Sequence, residues 1–313
     1  MQIIDGKKIR DKILAKIKKE VTSLSFKPIF CDVLVGDDRV SMQYVRMKKQ
    51  NAEKIGILFH NANFSASIKT QDLIEEIKIL NKIPNMCGII VQLPLPKTLD
   101  YKAVMDAIDP RLDVDCLGTV AGDKFYKGEV NFGFPTALAC MTLLNSLNLN
   151  SNPLTSLRTR KIVVLGQGEL VGKPVTALLK FRGLNPTIIT RKTPARDAYG
   201  ISVTDGKNKK EIIKQADVII SGIGKGKYIT GDMIKRGAII IDAGTSESGE
   251  SSSNTPTNVV GDVDFESVKG VASFISPVPG GVGPVTIAML FNNVLKVAKS
   301  LGTARGNFAE SNI

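Results

Sequence analysis

Tryptophan is absent from the 313-residue sequence, and histidine occurs only once. Serine–histidine catalysis and multi-histidine metal sites are therefore poor candidates, so any acid–base chemistry falls to lysine, tyrosine or carboxylates. His60 lies in Ile57–Asn61, a segment typical of a strand, and we interpret it as an ordinary strand residue. The few cysteines show no pair at metal-ligand spacing, which indicates small apolar side chains in a reducing compartment. They are Cys31, Cys87, Cys116 and Cys140.

Long apolar runs are also missing. No run of about 18 apolar residues occurs, so we expect no membrane span and no membrane partner. The first residues, Met1–Gly6, lead directly into a charged helical pattern without the apolar core and cleavage site of a signal peptide. We therefore expect a cytoplasmic protein. A length of 313 residues with 43% hydrophobic residues is enough for two globular domains.

The net charge of +12 has two interpretations. A nucleic-acid-binding protein concentrates its basic residues in one stripe and adds aromatic side chains for stacking. Here lysine and arginine are spread along the helices, and only 5% of the residues are aromatic. We interpret the charge as a solvated basic surface with some attraction for anionic substrates, and we expect no nucleic-acid partner.

Strands and helices alternate along the first half of the chain. Ile9, Ile13, Ile17 and Val21 recur every four residues and predict an amphipathic opening helix. Such alternation favours an α/β domain with a mainly parallel sheet. The predicted strands are 28–36, 57–64 and 88–93, and the predicted helices are 41–55 and 70–81.

A second α/β unit begins after a polar, turn-rich segment at 147–153. We predict a first α/β domain at 1–147, a second, Rossmann-type domain at 148–284, a helix at 285–301 and a disordered tail at 302–313. In the second unit the predicted strands are 161–165, 186–190, 217–221 and 238–242, the predicted helices are 173–182, 208–215 and 230–235, and 245–258 is a loop.

A glycine-rich turn follows the strand at 161–165. Its pattern, G-x-G-x-x-x-G, begins at Gly166 and leads into a helix with Pro174 in the first turn. Glycines let the backbone turn tightly and approach a pyrophosphate at the N-terminus of the next helix. Such a turn also serves packing alone in some proteins. Between a clear strand and a clear helix, it predicts a dinucleotide site.

The end of the next strand bears on the cofactor. An NAD enzyme often places Asp or Glu there to bind the ribose hydroxyls. This chain has Thr190-Arg191-Lys192, whose two cations suit a 2′-phosphate. We therefore predict NADP rather than NAD. The alternative is that these are surface charges at a strand end.

Tyr44 and Lys48 are four residues apart on a predicted helix, so they share one face. Alone, the pair is more often surface than active site. Five segments change that balance, because together and in this order they resemble the bifunctional methylenetetrahydrofolate dehydrogenase/cyclohydrolase family from Gln2 to about Lys299. The segments are Gly36–Lys48, Gly88–Pro96 (GIIVQLPLP), Asp113–Asp115, Val260–Val263 and Pro277–Thr286 (PVPGGVGPVT).

The resemblance implies a role for each matching residue. Lys48 is the central catalytic lysine, with Tyr44 beside it. Gln92 holds Lys48 near the reacting carbon, and Asp115 binds the pterin end of the folate. No metal is implied. Further substrate contacts would come from Ser41, Val91, Leu93, Pro279, Gly280, Gly281, Val282 and Gly283, and NADP contacts from Gly166, Gln167, Gly168, Arg191 and Thr245.

The implied chemistry suits these residue types. Hydride loss from the methylene bridge of methylenetetrahydrofolate leaves a delocalised cation, which water then attacks. A lysine beside that cation is disfavoured in its charged form, so its neutral form becomes accessible for proton transfer. The resemblance further implies that the domain at 1–147 is the catalytic, folate-binding domain, that the helix at 285–301 completes it, and that a cleft separates it from the NADP-binding domain at 148–284. It also implies a homodimer formed through the second domain and a place in one-carbon metabolism and purine biosynthesis.

The sequence departs from the family pattern in several places, two of which bear on the predicted site. Cys116-Leu117 replaces the usual Gly-Phe after Asp-Val-Asp, and Gln167 stands where the family often has arginine. The altered pocket edge leaves one alternative open, a dehydrogenase with weakened or lost cyclohydrolase activity. The other alternative is a non-catalytic nucleotide- or nucleic-acid-binding protein, and the intact set of Tyr44, Lys48, Gln92 and Asp115 argues against it.

Overall fold

The computed structural model describes residues 1–147, 157–190, 195–196, 202–203, 206–247 and 259–310. These residues form two compact units. The first unit contains residues 11–135 and the helix from residue 287 onward, and the second contains residues 1–10 and 136–286.

The elements are numbered here in chain order. The strands are β1 (Gln2–Ile3), β2 (Ile29–Val35), β3 (Leu58–Phe64), β4 (Met86–Val91), β5 (Ile162–Leu165), β6 (Thr187–Ile189), β7 (Ala195–Arg196), β8 (Ser202–Val203), β9 (Val218–Ser221), β10 (Ile239–Asp242), β11 (Ser246–Glu247), β12 (Val259–Val260) and β13 (Phe274–Ile275). The helices are α1 (Gly6–Thr22), α2 (Arg39–Ile55), α3 (Thr70–Leu80), α4 (Tyr101–Asp106), α5 (Thr119–Lys127), α6 (Pro135–Asn145), α7 (Gly172–Phe181), α8 (Gly206–Gln215), α9 (Phe265–Val268) and α10 (Val282–Glu310), with a 3₁₀ helix at Gly231–Met233.

The first unit is built on a parallel three-stranded sheet in the order β3-β2-β4. β2 is the central strand and is almost entirely buried, because helices cover the sheet. Its neighbour β3 is an edge strand, and His60 on it is exposed, as expected for an ordinary strand residue. α2 follows β2 and is well capped: Asp38 accepts a hydrogen bond at its start, and Gly56 adopts φ 84° at its end.

The long C-terminal helix belongs to the core of the first unit. Phe291 on α10 packs edge-on against Phe30 on β2, with ring centroids 5.4 Å apart. Gly88 on β4 has no room for a side chain, because a Cβ there would lie 2.9 Å from Val294 and 3.0 Å from Val114. The absence of a side chain at Gly88 thus lets α10 approach the sheet closely.

The second unit contains an eight-stranded sheet in the order β1-β13-β10-β9-β5-β6-β7-β8. Its six strands from β1 to β6 in that order are parallel, and β7 and β8 pair antiparallel at one edge. The chain leaves β5 toward β6 on one side and later adds β9 on the other. The carboxyl end of β5 is therefore the topological switch point, where open α/β sheets bind ligands.

The predicted fold class is confirmed, since both units are α/β with parallel sheets. One element was wrong: the predicted helix at 230–235 is only a 3₁₀ turn at Gly231–Met233. The periodic pattern did not reveal the short helices α4 and α5 or the helix α6. The polar boundary at 147–153 lies outside the described residues from 148 onward, as does most of the predicted loop at 245–258. The backbone of α10 continues as helix to Glu310, within the segment expected to be disordered.

Candidate active site

Lys48 lies on the buried face of α2 and is only 6% exposed. The buried positions of this helix recur at three- and four-residue spacing, which places Ser41, Val45, Lys48 and Ala52 on one stripe facing the sheet. A lysine on such a stripe is unusual, since an ammonium group loses its hydration there. Its burial requires polar partners.

Two partners meet the Lys48 ammonium group. Lys48 Nζ donates a hydrogen bond to Gln92 Oε1 at 2.7 Å and lies 2.6 Å from Asp32 Oδ2. The Gln92 amide is itself oriented, because its Nε2 donates to the carbonyl of Leu93 at 2.8 Å. Gln92 therefore turns its oxygen toward the lysine without adding a charge.

The sheet explains why both partners face α2. Asp32 on β2 pairs in register with Ile90 on β4, and Gln92 lies two residues beyond Ile90. Side chains two apart on a strand share one face, so Asp32 and Gln92 point to the same side. The backbone of Gln92 continues the ladder, since its N–H donates to the carbonyl of Val33 at 2.8 Å.

Asp32 was not predicted from the sequence. A signal was available, because Asp32 is the one carboxylate in the otherwise apolar strand Ile29–Val35. It is fully buried, and neither of its carboxylate oxygens accepts a hydrogen bond among the described residues, so the ion pair with Lys48 is its polar contact there. Burial raises the pKa of the Asp32 carboxyl, and the neighbouring charge of Lys48 opposes that rise.

Asp115 approaches the same group from a segment beside β4. Asp113 forms an isolated bridge with Ile89, which carries the chain past the sheet edge to a half-buried Asp115. Burial raises the pKa of Asp115 to about 7; the charge of Lys48 lowers it, and the carboxylates of Asp113 and Asp32 add to the rise. The structure thus brings Lys48, Asp115 and Asp32 into one electrostatic environment.

The turn after Asp115 is unusual in its backbone. Cys116 adopts φ +61°, a left-handed conformation that favours glycine. Asp113 stabilises this turn, because its Oδ2 accepts a hydrogen bond from the N–H of Gly118 at 2.7 Å. Buried Asn293 on α10 adds a hydrogen bond of 2.9 Å to the carbonyl of Val114. The departure from Gly-Phe at this point therefore places a cysteine where a glycine fits without strain.

The remaining predicted residues of the first unit surround this group. Tyr44 is 39% exposed on the same side of α2 as Lys48, one helical turn earlier. Ser41 is buried, and its backbone N–H donates to Asp38 Oδ2 at 2.7 Å. Val91 is buried and Leu93 is half-buried, on either side of Gln92.

The glycine-rich turn of the second unit lies at the end of β5. Gly166 adopts φ +92°, and its N–H donates to the carbonyl of Ile189 at 2.9 Å. A Cβ on Gly172 would overlap the Gly166 carbonyl, so this glycine serves the packing of α7 on the turn. Gly168 differs: it is exposed, and a Cβ there would meet no atom within 4 Å. The open side of the turn at Gly168 is where a pyrophosphate could approach the backbone.

Gln167 turns its side chain back onto the protein. Its Nε2 donates to the carbonyl of Gly166 at 2.8 Å and to the hydroxyl of Thr176 at 3.2 Å. A contact of Gln167 with a dinucleotide would therefore use its backbone. Thr245 is exposed beyond the end of β10. Arg191 lies outside the described residues.

Two buried aspartates organise the carboxyl edge of this sheet, and the sequence reading assigned them no role. Asp262 accepts hydrogen bonds from the Ser221 hydroxyl at 2.7 Å and from the N–H of Ile223 at 2.8 Å. Asp242 accepts from the N–H of Gly244 and of Val263, both at 2.9 Å. These bonds hold the loops after β9 and β10, which flank the switch point.

The segment Pro279–Gly283 lies against the first turn of α1 within the second unit. A Cβ on Gly6 would overlap the carbonyls of Gly280 and Gly281. Gly280 adopts φ +109°, and the N–H of Gly281 donates to the carbonyl of Pro277 at 2.7 Å. Gly281 and Val282 are buried, whereas Pro279 and Gly283 are exposed and form the accessible part of this segment.

Sequence comparison identifies the family. Residues 4–115 match the sequence model of the tetrahydrofolate dehydrogenase/cyclohydrolase catalytic domain, and residues 135–301 match that of the tetrahydrofolate dehydrogenase/cyclohydrolase NAD(P)-binding domain. The chain belongs to the tetrahydrofolate dehydrogenase/cyclohydrolase family. The predicted family and its two activities, dehydrogenase and cyclohydrolase, are thereby confirmed.

Relatives of this family match along nearly their whole length. The bifunctional protein FolD of Nautilia profundicola is 38% identical over 303 residues, covering 96% of this chain and 98% of the relative. A crystal structure of the FolD methylenetetrahydrofolate dehydrogenase/cyclohydrolase from Campylobacter jejuni is 30% identical with a TM-score of 0.83, covering 96% of this chain and 99% of that one. The Trypanosoma brucei enzyme, solved with NADP and an inhibitor, is 30% identical with a TM-score of 0.85, covering 96% and 97%.

The described residues also bear on metal binding and membrane association. Within them, no group of three or more His, Cys, Asp or Glu side chains is placed to hold a metal ion. No helix in the described part of the chain is long and apolar enough to cross a membrane. The cysteines at positions 31, 87, 116 and 140 are all buried and form no disulfide bond in the described part of the chain.

Proposed function

We propose that this member of the tetrahydrofolate dehydrogenase/cyclohydrolase family oxidises methylenetetrahydrofolate with NADP and hydrolyses the resulting methenyl form to formyltetrahydrofolate. The observation that carries the proposal is the buried Lys48, whose Nζ lies 2.7 Å from Gln92 Oε1. Both residues stand at positions where the family motifs match. A buried, oriented amine is the group that this chemistry requires at the one-carbon bridge.

Lys48 handles the proton of the hydrolytic step in this mechanism. Water attacks the cationic methenyl carbon and must lose a proton as the new C–O bond forms, and the neutral amine accepts that proton. Gln92 sets the direction of the amine, since its own amide is held by the Leu93 carbonyl. Asp115 would bind the pterin ring. Its carboxyl, with a pKa of about 7, can donate or accept a hydrogen bond near neutral pH.

NADP supplies a hydride acceptor when it is bound. The turn at Gly166–Gly168 would hold the pyrophosphate through backbone N–H groups, with its open side at Gly168. Arg191 would bind the 2′-phosphate and so favour NADP over NAD. Thr245, beyond β10, would add a contact from the end of a strand two positions away from β5 in the sheet. The solved Trypanosoma brucei relative contains NADP, which supports this choice.

The cellular setting follows from the resemblance. We propose a cytoplasmic homodimer, assembled through the second unit, that supplies formyl groups for purine biosynthesis. Sedimentation equilibrium of the purified chain would measure the dimer directly. A mass equal to one chain over the working concentration range would contradict it.

One assay tests both activities. Purified protein is incubated with methylenetetrahydrofolate and either NADP or NAD, following the reduced cofactor, and separately with the methenyl form, following its disappearance. We expect both reactions, with NADP preferred. Lys48→Met should abolish hydrolysis while the circular dichroism spectrum stays that of the folded protein. Near-normal hydrolysis in that variant would contradict the role of Lys48, and reduction of NADP without any hydrolysis in the wild type would favour a dehydrogenase alone.

A further inference from the structure

We propose that Asp32 is a positioning residue for Lys48 that also takes up the lysine's proton during hydrolysis. This inference rests on the proposed function and assigns the buried partner through which Lys48 becomes neutral. None of the motifs that carry the family resemblance contains Asp32. Its place in the site comes from the structure, where Lys48 Nζ and Asp32 Oδ2 are 2.6 Å apart.

Two contacts define the surroundings of the amine. Gln92 accepts one hydrogen of the ammonium group at 2.7 Å, and Asp32 Oδ2 forms an ion pair with it at an Nζ–Oδ2 distance of 2.6 Å, short enough for a proton to pass between them. Since Asp32 and Gln92 come from neighbouring strands of one rigid sheet, they fix the amine more firmly than a single contact could.

A purely structural role accounts poorly for Asp32. Its side chain is fully buried in the central strand of the sheet, between apolar neighbours, and neither carboxylate oxygen accepts a hydrogen bond among the described residues. A buried ion pair is no more stable than apolar side chains of similar volume, so the fold alone does not require a carboxylate here. The pair is therefore better explained by what the carboxylate does to Lys48.

The proton transfer takes place between Lys48 and Asp32 and conserves the number of protons and the charge. The Lys48 ammonium transfers one proton to the Asp32 carboxylate, leaving a neutral amine and a neutral carboxylic acid with no change in net charge. The amine then takes a proton from the attacking water while the hydroxide oxygen bonds to the methenyl carbon. The hydroxyl proton of the adduct moves to the departing ring nitrogen as the formyl group forms. One proton then leaves the pair for solvent, which restores the ammonium and the carboxylate.

Burial of the pair and the positive charge of the substrate favour such a transfer, whereas the charge of Lys48 lowers the pKa of Asp32 and opposes it. Lys48 faces Asp32 from α2, and Asp115 and Asp113 lie beyond it on the segment beside β4. On β2 itself, burial raises the pKa of the Cys31 thiol to about 12, so Cys31 stays neutral. Burial also raises the pKa of Asp32, which makes its carboxylate a competent acceptor. The methenyl cation disfavours a second positive charge on the adjacent amine.

The test compares Asp32→Asn with Asp32→Val by their pH profiles. In the wild type, the Lys48 proton passes to Asp32, so the neutral amine forms without releasing a proton to solvent. We therefore expect kcat for hydrolysis to be nearly independent of pH near neutrality. In Asp32→Asn the amide still accepts a hydrogen bond but takes no proton. We expect kcat for hydrolysis to fall by about tenfold or more and to rise with pH by up to about tenfold per unit.

Two further readouts separate this role from misfolding. KM for the methenyl substrate and the rate of NADP-dependent oxidation should change by less than about threefold in Asp32→Asn, since hydride transfer needs no proton acceptor. Glu53→Gln, on the exposed face of α2, is the matched control and should keep the flat profile. Asp32→Val removes both the contact and the acceptor, and should reduce hydrolysis at least as far.

The outcomes distinguish this inference from the proposed function. A flat profile with wild-type kcat in Asp32→Asn overturns the proton role, whatever Asp32→Val does. Loss of oxidation and hydrolysis together in Asp32→Asn, with the fold intact, overturns it as well. If the wild-type chain itself turns over neither folate, the proposed function fails, and this inference, which rests on it, is overturned with it.

Discussion

The carboxylate of Asp242 accepts a hydrogen bond from the backbone N–H of Asp262 at 3.1 Å. The two aspartates are also linked through their glycine neighbours. A Cβ on Gly261 would overlap the Asp242 carboxylate, and a Cβ on Gly244 would overlap that of Asp262. The segments after β10 and before Val263 are therefore interlocked, and they hold the loops at the carboxyl edge of the second sheet.

The first prediction concerns the pH dependence of this interlock. Burial raises the pKa of Asp242 to about 7, above the value of about 4 expected for an unfolded aspartate. The folded state therefore binds more protons between these values, so this carboxyl contributes most to stability below about pH 4, and its contribution is lost as the pH rises through about 7. Asp242→Asn should remove up to about 1.4 kcal/mol per pH unit of this slope.

Denaturant unfolding at several pH values between 5 and 8 measures the slope in both proteins. Asp232→Asn is the control, because Asp232 is exposed and hydrogen bonding to Thr230 lowers its pKa. The free energy of unfolding of that variant should change with pH at the same slope as that of the wild type between pH 5 and 8. Parallel curves for Asp242→Asn and the wild type would show that the carboxyl at position 242 does not titrate in the folded protein in this window.

The second prediction separates two glycines of the same turn. A Cβ on Gly172 would overlap the Gly166 carbonyl, so Gly172→Ala must displace backbone and should cost about 1–3 kcal/mol of stability. A Cβ on Gly168 meets open space, so Gly168→Ala should change stability by less than about 1 kcal/mol. Its methyl group would instead stand where a pyrophosphate approaches, and KM for NADP should rise.

Thermal unfolding and steady-state kinetics of both variants provide the measurement. The decisive comparison is within the pair, since both substitutions add the same methyl group. An unchanged KM for NADP in Gly168→Ala would mean that the dinucleotide does not pass over this side of the turn.

The glycine-rich turn shows which structural features could be predicted from the sequence and which could not. It located the turn between β5 and α7, because a tight turn between a strand and a helix leaves a local pattern. It could not separate Gly172, which packs, from Gly168, which is open, because that difference depends on atoms brought together by folding. Gly222 is a similar case: a Cβ there would lie 2.7 Å from Val171, far away in the sequence.

The catalytic group also combines residues that the sequence could identify with contacts that it could not predict. Lys48 and Gln92 were identified from motifs, but their 2.7 Å contact joins residues that are 44 positions apart. Asp32 belongs to no recognised motif, and its carboxylate within an apolar strand was the only local sign. Its relation to Lys48 needs the register of β2 with β4, which no periodicity reveals. The helix predicted at 230–235 was wrong for a different reason, because the local sequence forms only a single 3₁₀ turn.

The third prediction tests the backbone strain at Cys116. A residue other than glycine at φ +61° carries a cost of about 1–2 kcal/mol. Cys116→Ala keeps that strain and removes the sulfur, whereas Cys116→Gly removes both. The glycine variant should therefore be more stable than the alanine variant by about 1 kcal/mol. Thermal or denaturant unfolding of the two variants measures the difference, and an alanine variant that is the more stable would contradict a strained turn.

The two Cys116 variants also test whether the residue that follows Asp115 affects hydrolysis. Cys116 directly follows Asp115, so relief of strain should leave the position of that carboxylate unchanged or better defined. We expect methenyl hydrolysis in Cys116→Gly to stay within about threefold of the wild type. A large gain in hydrolysis would indicate that the cysteine restrains the cyclohydrolase reaction in this chain.

The last prediction addresses cofactor choice. Arg191 follows the strand β6, whose end lies beside the ribose site in dinucleotide-binding sheets. A charge-assisted hydrogen bond to the 2′-phosphate is worth about 1.5–3 kcal/mol, so Arg191→Ala should raise KM for NADP by about tenfold or more. NAD lacks that phosphate, and its KM should change little. Lys192→Ala tests the adjacent cation. If Arg191→Ala raises both constants equally, the arginine does not read the phosphate, and the preference for NADP must come from another part of the site.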